Sequence, residues 1–594
     1  MDRRNQILNG ILSSPVQIRD FVNNPEFDNM FQSLWHNYLL NEEAETSVAY
    51  WADRFNDTKA FVVATRLLSK GGWIIVKMNP TTHWGTIKLN GSKLLKWVSK
   101  EELKQVRKEF KFNKYMMPAS GSSVDNIAKT PKGKIDIGLS RPGTAKAGQN
   151  KFKYDNKMLW KYRKPIIQNV TKSMRKLAQQ IDIALEDETG YAYISEELVN
   201  AYIAEPDKEF CMGKALMDSR GRAIFEGLSK VANPIGFKDF RALIKIEPRP
   251  LNPLAYSQVF LAISELLGYK LPSVEERIQA GREAYQKRIL PKIDMTTDEG
   301  REELHERIWL ERIYKALENP SQWDVPIELD QTASALQFMG ILLNDKGLLD
   351  GTNVIGSELK DIWTIDGLAR NQVKKAITPR IYGSQAEPAK LWNKNHIKYN
   401  ICDVKTINNE INHGRFATAN MFKDFIIDNA NPEEEMKIKI FNEEFTVFCN
   451  KYETRGEYIQ PYVAYDTEAK EIRVIKHTHT KRVADLDSFR TYLVTLLIHN
   501  LDSQLADYIA NNVDWIIPIY DAFIVHPNDA KTVRKLFVDF MLEISNNRDT
   551  ILKDYFQSIN IDLKTNKRAI IQWNKLQEKI EKVGEFIPQG TALK

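Results

Sequence analysis

Arg370, Lys374 and Tyr382-Gly383 fall in one run, Arg370-Asn-Gln-Val-Lys374-Lys375-Ala-Ile-Thr378-Pro379-Arg380-Ile-Tyr382-Gly383-Ser384. Residues four apart share a helix face, so Arg370, Lys374, Thr378 and Tyr382 form one slowly drifting stripe. Two fixed cations at one end suit a triphosphate. The aromatic at the other end can meet a base or a sugar. Pro379 lacks a backbone donor, which predicts a kink or an end to the helix there.

Two aspartates stand in apolar settings. Asp330 closes Pro-Ile-Glu-Leu-Asp330 and is followed by Gln331-Thr332-Ala333-Ser334-Ala335-Leu336-Gln337, which reads as a strand turning into a helix. Asp521 lies in Trp-Ile-Ile-Pro-Ile-Tyr520-Asp521-Ala522-Phe523-Ile-Val, two short β-branched runs joined by a tight turn with the acid at its tip. Phosphoryl transfer asks little covalent help of a protein. It needs divalent ions about 3.5–4 Å apart clamping the attacking and leaving oxygens. Hard ions of the magnesium kind take carboxylate oxygens and keep several waters, so two converging aspartates suffice. The pair is far apart in sequence, and only a fold can join them.

Two further elements accompany these. Met217-Asp218-Ser219-Arg220-Gly221-Arg222 sets two arginines about a glycine, either a phosphate or template contact or a basic turn. Leu496-Leu-Ile-His499-Asn500-Leu-Asp502 delivers a histidine from an apolar helical run, either a core residue or part of a site.

In this order the five elements resemble the single-subunit DNA-dependent RNA polymerases of bacteriophages and mitochondria. The family pattern is Asp-x-Arg-Gly-Arg, then Asp-x-x-x-Ser-x-x-Gln, then Arg-x-x-x-Lys with Tyr-Gly, then His-x-x-Asp and a last Asp in a hairpin. Asp218 to Arg222, Asp330 with Ser334 and Gln337, Arg370 with Lys374 and Tyr382-Gly383, His499 with Asp502, and Asp521 match it. The resemblance implies that Asp330 and Asp521 hold two Mg2+ ions. Arg370 and Lys374 would bind the triphosphate, with Lys374 assisting the leaving pyrophosphate. Tyr382 and His499 would flank the ribose, and Arg222 would sit by the metals and the nucleic-acid backbone. Arg220 and Gly383 join the expected nucleic-acid contacts. The implied partners are a DNA template, an RNA product and ribonucleoside triphosphates, with an accessory promoter or single-strand-binding protein for so compact a member.

Two alternatives stay open: a family A DNA polymerase, and a non-catalytic DNA-binding component on a polymerase scaffold. The first carries a glutamate five residues after its first Asp, and here that position is Ala335. The chain also departs from the RNA polymerase pattern. Tyr520 stands where most members have His, Pro379 interrupts the nucleotide helix, and the ending Gly-Thr-Ala-Leu-Lys594 lacks their short aromatic motif.

The elements that must position these groups follow from the rest of the chain. The expected fold class is α/β, a helix-rich mixed α+β right hand of palm, fingers and thumb with a small N-terminal domain. Residues 1–117 form that N-terminal domain, with a strand at 71–77. Residues 118–152, rich in Gly, Ser, Pro and Lys, read as a basic flexible linker or loop. Charged helices in 153–205 take the place of the thumb, or else form a plain surface pair. Palm residues occupy 206–350 and 490–594, with fingers at 351–489. Alternation about a polar turn predicts a β-hairpin at 452–482. Its Arg473 and Lys476 either contact nucleic acid, or the hairpin merely braces the fingers.

Composition sets outer bounds. The 594 residues are ample for several cores, and 43% are hydrophobic. With 84 basic against 78 acidic residues the net charge is only +6, so a nucleic-acid surface must come from local clustering. Cys211, Cys402 and Cys449 are too scattered for a disulfide framework or a cysteine zinc site. The start Met-Asp-Arg-Arg-Asn-Gln has no apolar leader and no apolar run is long enough for a bilayer. The expectation is a protein of the cytoplasm, the bacterial host's if phage-encoded, with no membrane partner.

Overall fold

The computed structural model describes scattered residues between 30 and 101 and most of 141–593, with its longest later gaps at 181–191 and 226–236. The chain is a helix-rich mixed α/β protein with several small sheets. Its principal elements, in chain order, are β1 (Ile74–Asn79), β2 (Trp84–Leu89), α1 (Pro142–Gly148), β3 (Ile327–Asp330), α2 (Ser334–Leu343) and α3 (Arg370–Ile381), followed by β4 (Lys451–Asp466), β5 (Glu471–Val483), α4 (Leu486–Asn511), β6 (Ile516–Ile519), β7 (Ala522–Val525) and α5 (Ala530–Ser558). Among the described residues no helix is long and apolar enough to cross a membrane.

The chain divides into two compact units. One comprises residues 1–117, 171–198 and 452–483; the other comprises 118–170, 199–451 and 484–594. In the first, β1 and β2 pair antiparallel, β2 also takes the short strand Thr46–Ser47, and β4 pairs with β5. The division departs from the expected order in two places. The segment 153–205 is split between units, and the hairpin groups with the N-terminal residues instead of the fingers segment. The hairpin's packing explains the second departure, because β5 lies against β1 and β2.

The second unit is organised around a three-stranded antiparallel sheet in the order β6-β7-β3. All eight residues of β6 and β7 are buried, which explains why both strands read as unbroken apolar runs. Helix α2 is buried on every side and packs against α4 and α5. A helix apolar all round belongs inside a core. It is bracketed by Ala333 at φ 58° and Asn344 at φ 56°, and the left-handed Asn344 ends it.

The segment expected to be a flexible linker holds α1. Pro142 opens the helix, and Gly143, Thr144, Ala147 and Gly148 are buried. A Cβ on Gly143 would lie 2.2 Å from the Asp507 carbonyl oxygen, so α1 approaches α4 backbone to backbone. The Thr144 amide donates to Asp507 Oδ1 at 2.9 Å, and the guanidinium of buried Arg141 pairs with Glu443. Small residues here serve close packing. Residues 118–140 of that expected linker lie outside the described residues.

Candidate active site

The β6-β7-β3 sheet brings the two aspartates together. Ala522 pairs with Asp330 across β7 and β3, and Ile519 pairs with Ala522 across a two-residue turn made of Tyr520 and Asp521. The Gln331 amide donates to the Asp521 carbonyl at 3.0 Å. Asp330 therefore ends one strand where Asp521 sits at the tip of its neighbour. Tyr520 takes φ 58°, a strained conformation for a bulky residue.

Asp330 opens onto a cavity of about 700 Å³ whose walls include Lys238, Glu328, Arg370 and Lys374. Enclosure by the surrounding protein, then the Asp521 and Glu328 carboxylates, push the Asp330 carboxyl up to about 7 against the pull of Lys374 and Lys238. The carboxyl also meets solvent through the cavity, so this shift marks a focus of negative potential more than a large store of energy. Magnesium fits such a place. Asp330 offers hard carboxylate oxygens to the cavity, Asp521 stands in the adjoining turn, and the open cavity leaves room for phosphate oxygens and water. Among the described residues there is no group of three or more His, Cys, Asp or Glu that could hold a metal ion.

Helix α3 brings Arg370 and Lys374 to the same cavity, as the four-residue spacing predicts. Arg370 Nε donates to Asp361 Oδ2 at 2.5 Å. Burial opposes ionisation of Asp361, but the bond and charge of Arg370 hold its carboxyl below the usual range. The helix runs through Pro379 to Ile381, so the expected break comes two residues later, at Tyr382.

Tyr382, His499 and Arg222 do not line this cavity. Tyr382 and Arg222 lie within electrostatic reach of Asp521, and His499 packs on Tyr382. The Tyr382 and His499 rings lie 5.1 Å apart, and Arg222 Nη2 is 2.9 Å from Asp502 Oδ2 while its guanidinium covers the Tyr520 ring at 5.1 Å. Burial and the nearby Asp521 push the Asp502 carboxyl up to about 7 against the attraction of Arg222. Burial, with Asp502 next, raises the Tyr382 phenol well above its ordinary value. Arg370 and Lys374 therefore line the cavity, whereas Tyr382 lies apart from its lining, against His499.

Gly383 has a packing role. It is buried at φ 101°, and a Cβ there would meet the Thr491 carbonyl oxygen of α4 at 2.4 Å. Thr495 Oγ1 donates to the Tyr382 carbonyl at 2.7 Å and clamps the same turn. Gly383→Ala is therefore expected to cost about 2 kcal/mol or more in urea unfolding, and an unchanged midpoint would refute the close approach.

Arg220, with Asp218 to Gly221, lies outside the described residues. Arg473 and Lys476 fall on β5, their side chains outside the description. Sequence reasoning overlooked Lys238, Glu328 and Asp361. Lys238 sits in an ordinary amphipathic stretch, and Asp361 gains meaning only through its pairing with Arg370. No protein-family model and no curated protein matches this chain.

Proposed function

We propose that this chain is a DNA-templated RNA polymerase that adds ribonucleotides to an RNA 3′ end by nucleotidyl transfer. The observation that carries the reading is that Asp330 and Asp521 end neighbouring, paired strands while Asp330 shares a cavity with Arg370 and Lys374. In a right-hand arrangement the β6-β7-β3 sheet would be the palm, 351–489 the fingers and 153–205 the thumb.

Two magnesium ions held by Asp330 and Asp521 would, when bound, supply the charge that stabilises the attacking and leaving oxygens. The chain's own groups do the rest. Arg370, braced by Asp361, and Lys374 hold the triphosphate, and Lys374 stands ready to give a proton to departing pyrophosphate. Tyr382 and His499 flank the ribose from the Asp521 side. Arg222, anchored by Asp502, faces the nucleic-acid backbone. The DNA template and RNA product fill the cleft, and an accessory protein supplies promoter recognition.

The test is single-nucleotide addition to an RNA-primed single-stranded DNA template, with ribo- and deoxyribonucleotides and with and without magnesium. Magnesium-dependent, templated ribonucleotide addition is expected. A preference for deoxyribonucleotides would make the chain a DNA polymerase, and addition of neither would make it a non-catalytic binder. Tyr382→Phe should lower the ribose preference about tenfold with modest loss of rate, as fits one lost hydrogen bond; unchanged selectivity would remove Tyr382 from the ribose site.

A further inference from the structure

Three arginines line the Asp330 cavity, and two of them are ion-paired: Arg277 with Glu265, and Arg370 with Asp361. The third, Arg534 on α5, has no acid partner among the described residues. Its Nε donates to Gln258 Oε1 at 3.2 Å and its Nη1 to the Gly590 carbonyl at 3.1 Å. Both acceptors are neutral, and Nη2 makes no hydrogen bond to another described residue. Burial pulls the guanidinium down to about 10, with Glu265 acting the other way, so it stays a cation at neutral pH.

A partly buried cation held only by neutral groups is costly until an anion joins it. Glu265 cannot serve, because Arg277 already engages it. A planar fork with one terminal nitrogen unspent suits a phosphate oxygen. Gln258 and Arg534 also belong to a second hollow of about 560 Å³, whose walls include Leu254, Pro527, Lys531 and Lys535. Lys531, Arg534 and Lys535 follow the three- and four-residue spacing of one helix face. Arg534 therefore stands where the two hollows meet, with Lys374 lining the first and the two α5 lysines the second.

We infer that Arg534 is a second anion site of the Asp330 cavity and that its ligand is inorganic pyrophosphate. Binding at this place is independent of the polymerase reading. Only the source of the pyrophosphate rests on that reading: the group departing beside Lys374 would pass Arg534 on its way to the Lys531 hollow. A nucleotide's own triphosphate stays with Arg370 and Lys374 and makes no use of Arg534.

The experiment is isothermal titration of the full chain with sodium pyrophosphate in the absence of divalent cations. Wild type should take up two equivalents. The Arg370→Ala/Lys374→Ala double variant should keep the one at Arg534, and Arg534→Gln should weaken that one at least about tenfold. Lys531→Glu sets a repelling charge on the same helix face and should weaken the site at least about threefold. It carries the test where Arg534→Gln fails to fold. ATP binding on a primer–template whose RNA primer lacks a 3′ hydroxyl should change less than about twofold in both variants. Wild-type pyrophosphate binding in these variants, loss of both equivalents in the double variant, or an equal loss for ATP would overturn the inference and leave the polymerase reading intact. Pyrophosphate bound at Arg534 in a chain that adds no nucleotide to a normal primer would overturn the polymerase reading alone.

Discussion

Asp521→Asn and Asp330→Asn are each expected to reduce ribonucleotide addition at least about 10³-fold, with little change in affinity for primer–template. An amide keeps the size of the carboxyl and removes the charge that a hard cation requires. The site then retains Arg370 and Lys374 but has lost its negative focus. The two variants differ in a second observable. The folded protein holds the Asp330 carboxyl at about 7, above its ordinary value near 3.8. Between these values the folded state keeps a proton that the unfolded chain has shed. Stability therefore falls as pH rises through this window, and the cost is fully present above 7. Asp330→Asn removes that cost, so the inactive variant should melt at an equal or higher temperature than wild type at pH 8. The difference should vanish near pH 4. Inactivity accompanied by a lower melting temperature at pH 8 would assign Asp330 a structural task and remove it from the metal seat.

Arg222→Leu is expected to destabilise the protein by about 3 kcal/mol at pH 8, because it strands the buried Asp502 carboxylate without its partner. The leucine also forfeits the guanidinium cover on Tyr520, which sits in a strained conformation at the turn that presents Asp521. The pH dependence identifies the cause. Burial and Asp521 already raise the Asp502 carboxyl to about 7 with Arg222 present, and loss of the cation raises it further. In the variant, protonation relieves the stranded charge, so the deficit should shrink at pH 5.5 and grow as pH rises through 7. Denaturant unfolding at the two pH values measures this. An equal deficit at both would attribute the loss to packing alone.

The parts of the site that were legible in the sequence were local ones. Ile516–Ile519 and Ala522–Val525 read as strands because β-branched residues crowd a core that buries both faces, and the Tyr520-Asp521 tip followed from the short gap between them. The strand-to-helix change after Asp330 was equally readable from the apolar run of α2. The four-residue spacing of Arg370 and Lys374 fixed their common face. It misled at Tyr382, because the helix stops at Ile381 and the positive φ of Gly383 carries the chain against Thr491. What spacing alone left out were partners from distant segments, such as Asp361 for Arg370 and Asp502 for Arg222. The helix at 142–148 was missed for a related reason. Its glycines and alanines look like linker residues until α4 is packed against them, and Arg141 looks solvated until Glu443 receives it.

The most direct measurement is anomalous diffraction from crystals of the full chain grown with Mn2+, a primer–template and a non-hydrolysable ribonucleotide. Two manganese peaks about 3.5–4 Å apart, both ligated by Asp330 and Asp521 and one by the triphosphate beside Arg370 and Lys374, are the expected result. Manganese and nucleotide bound elsewhere, with the two aspartates unliganded in a complex that synthesises RNA, would contradict the account.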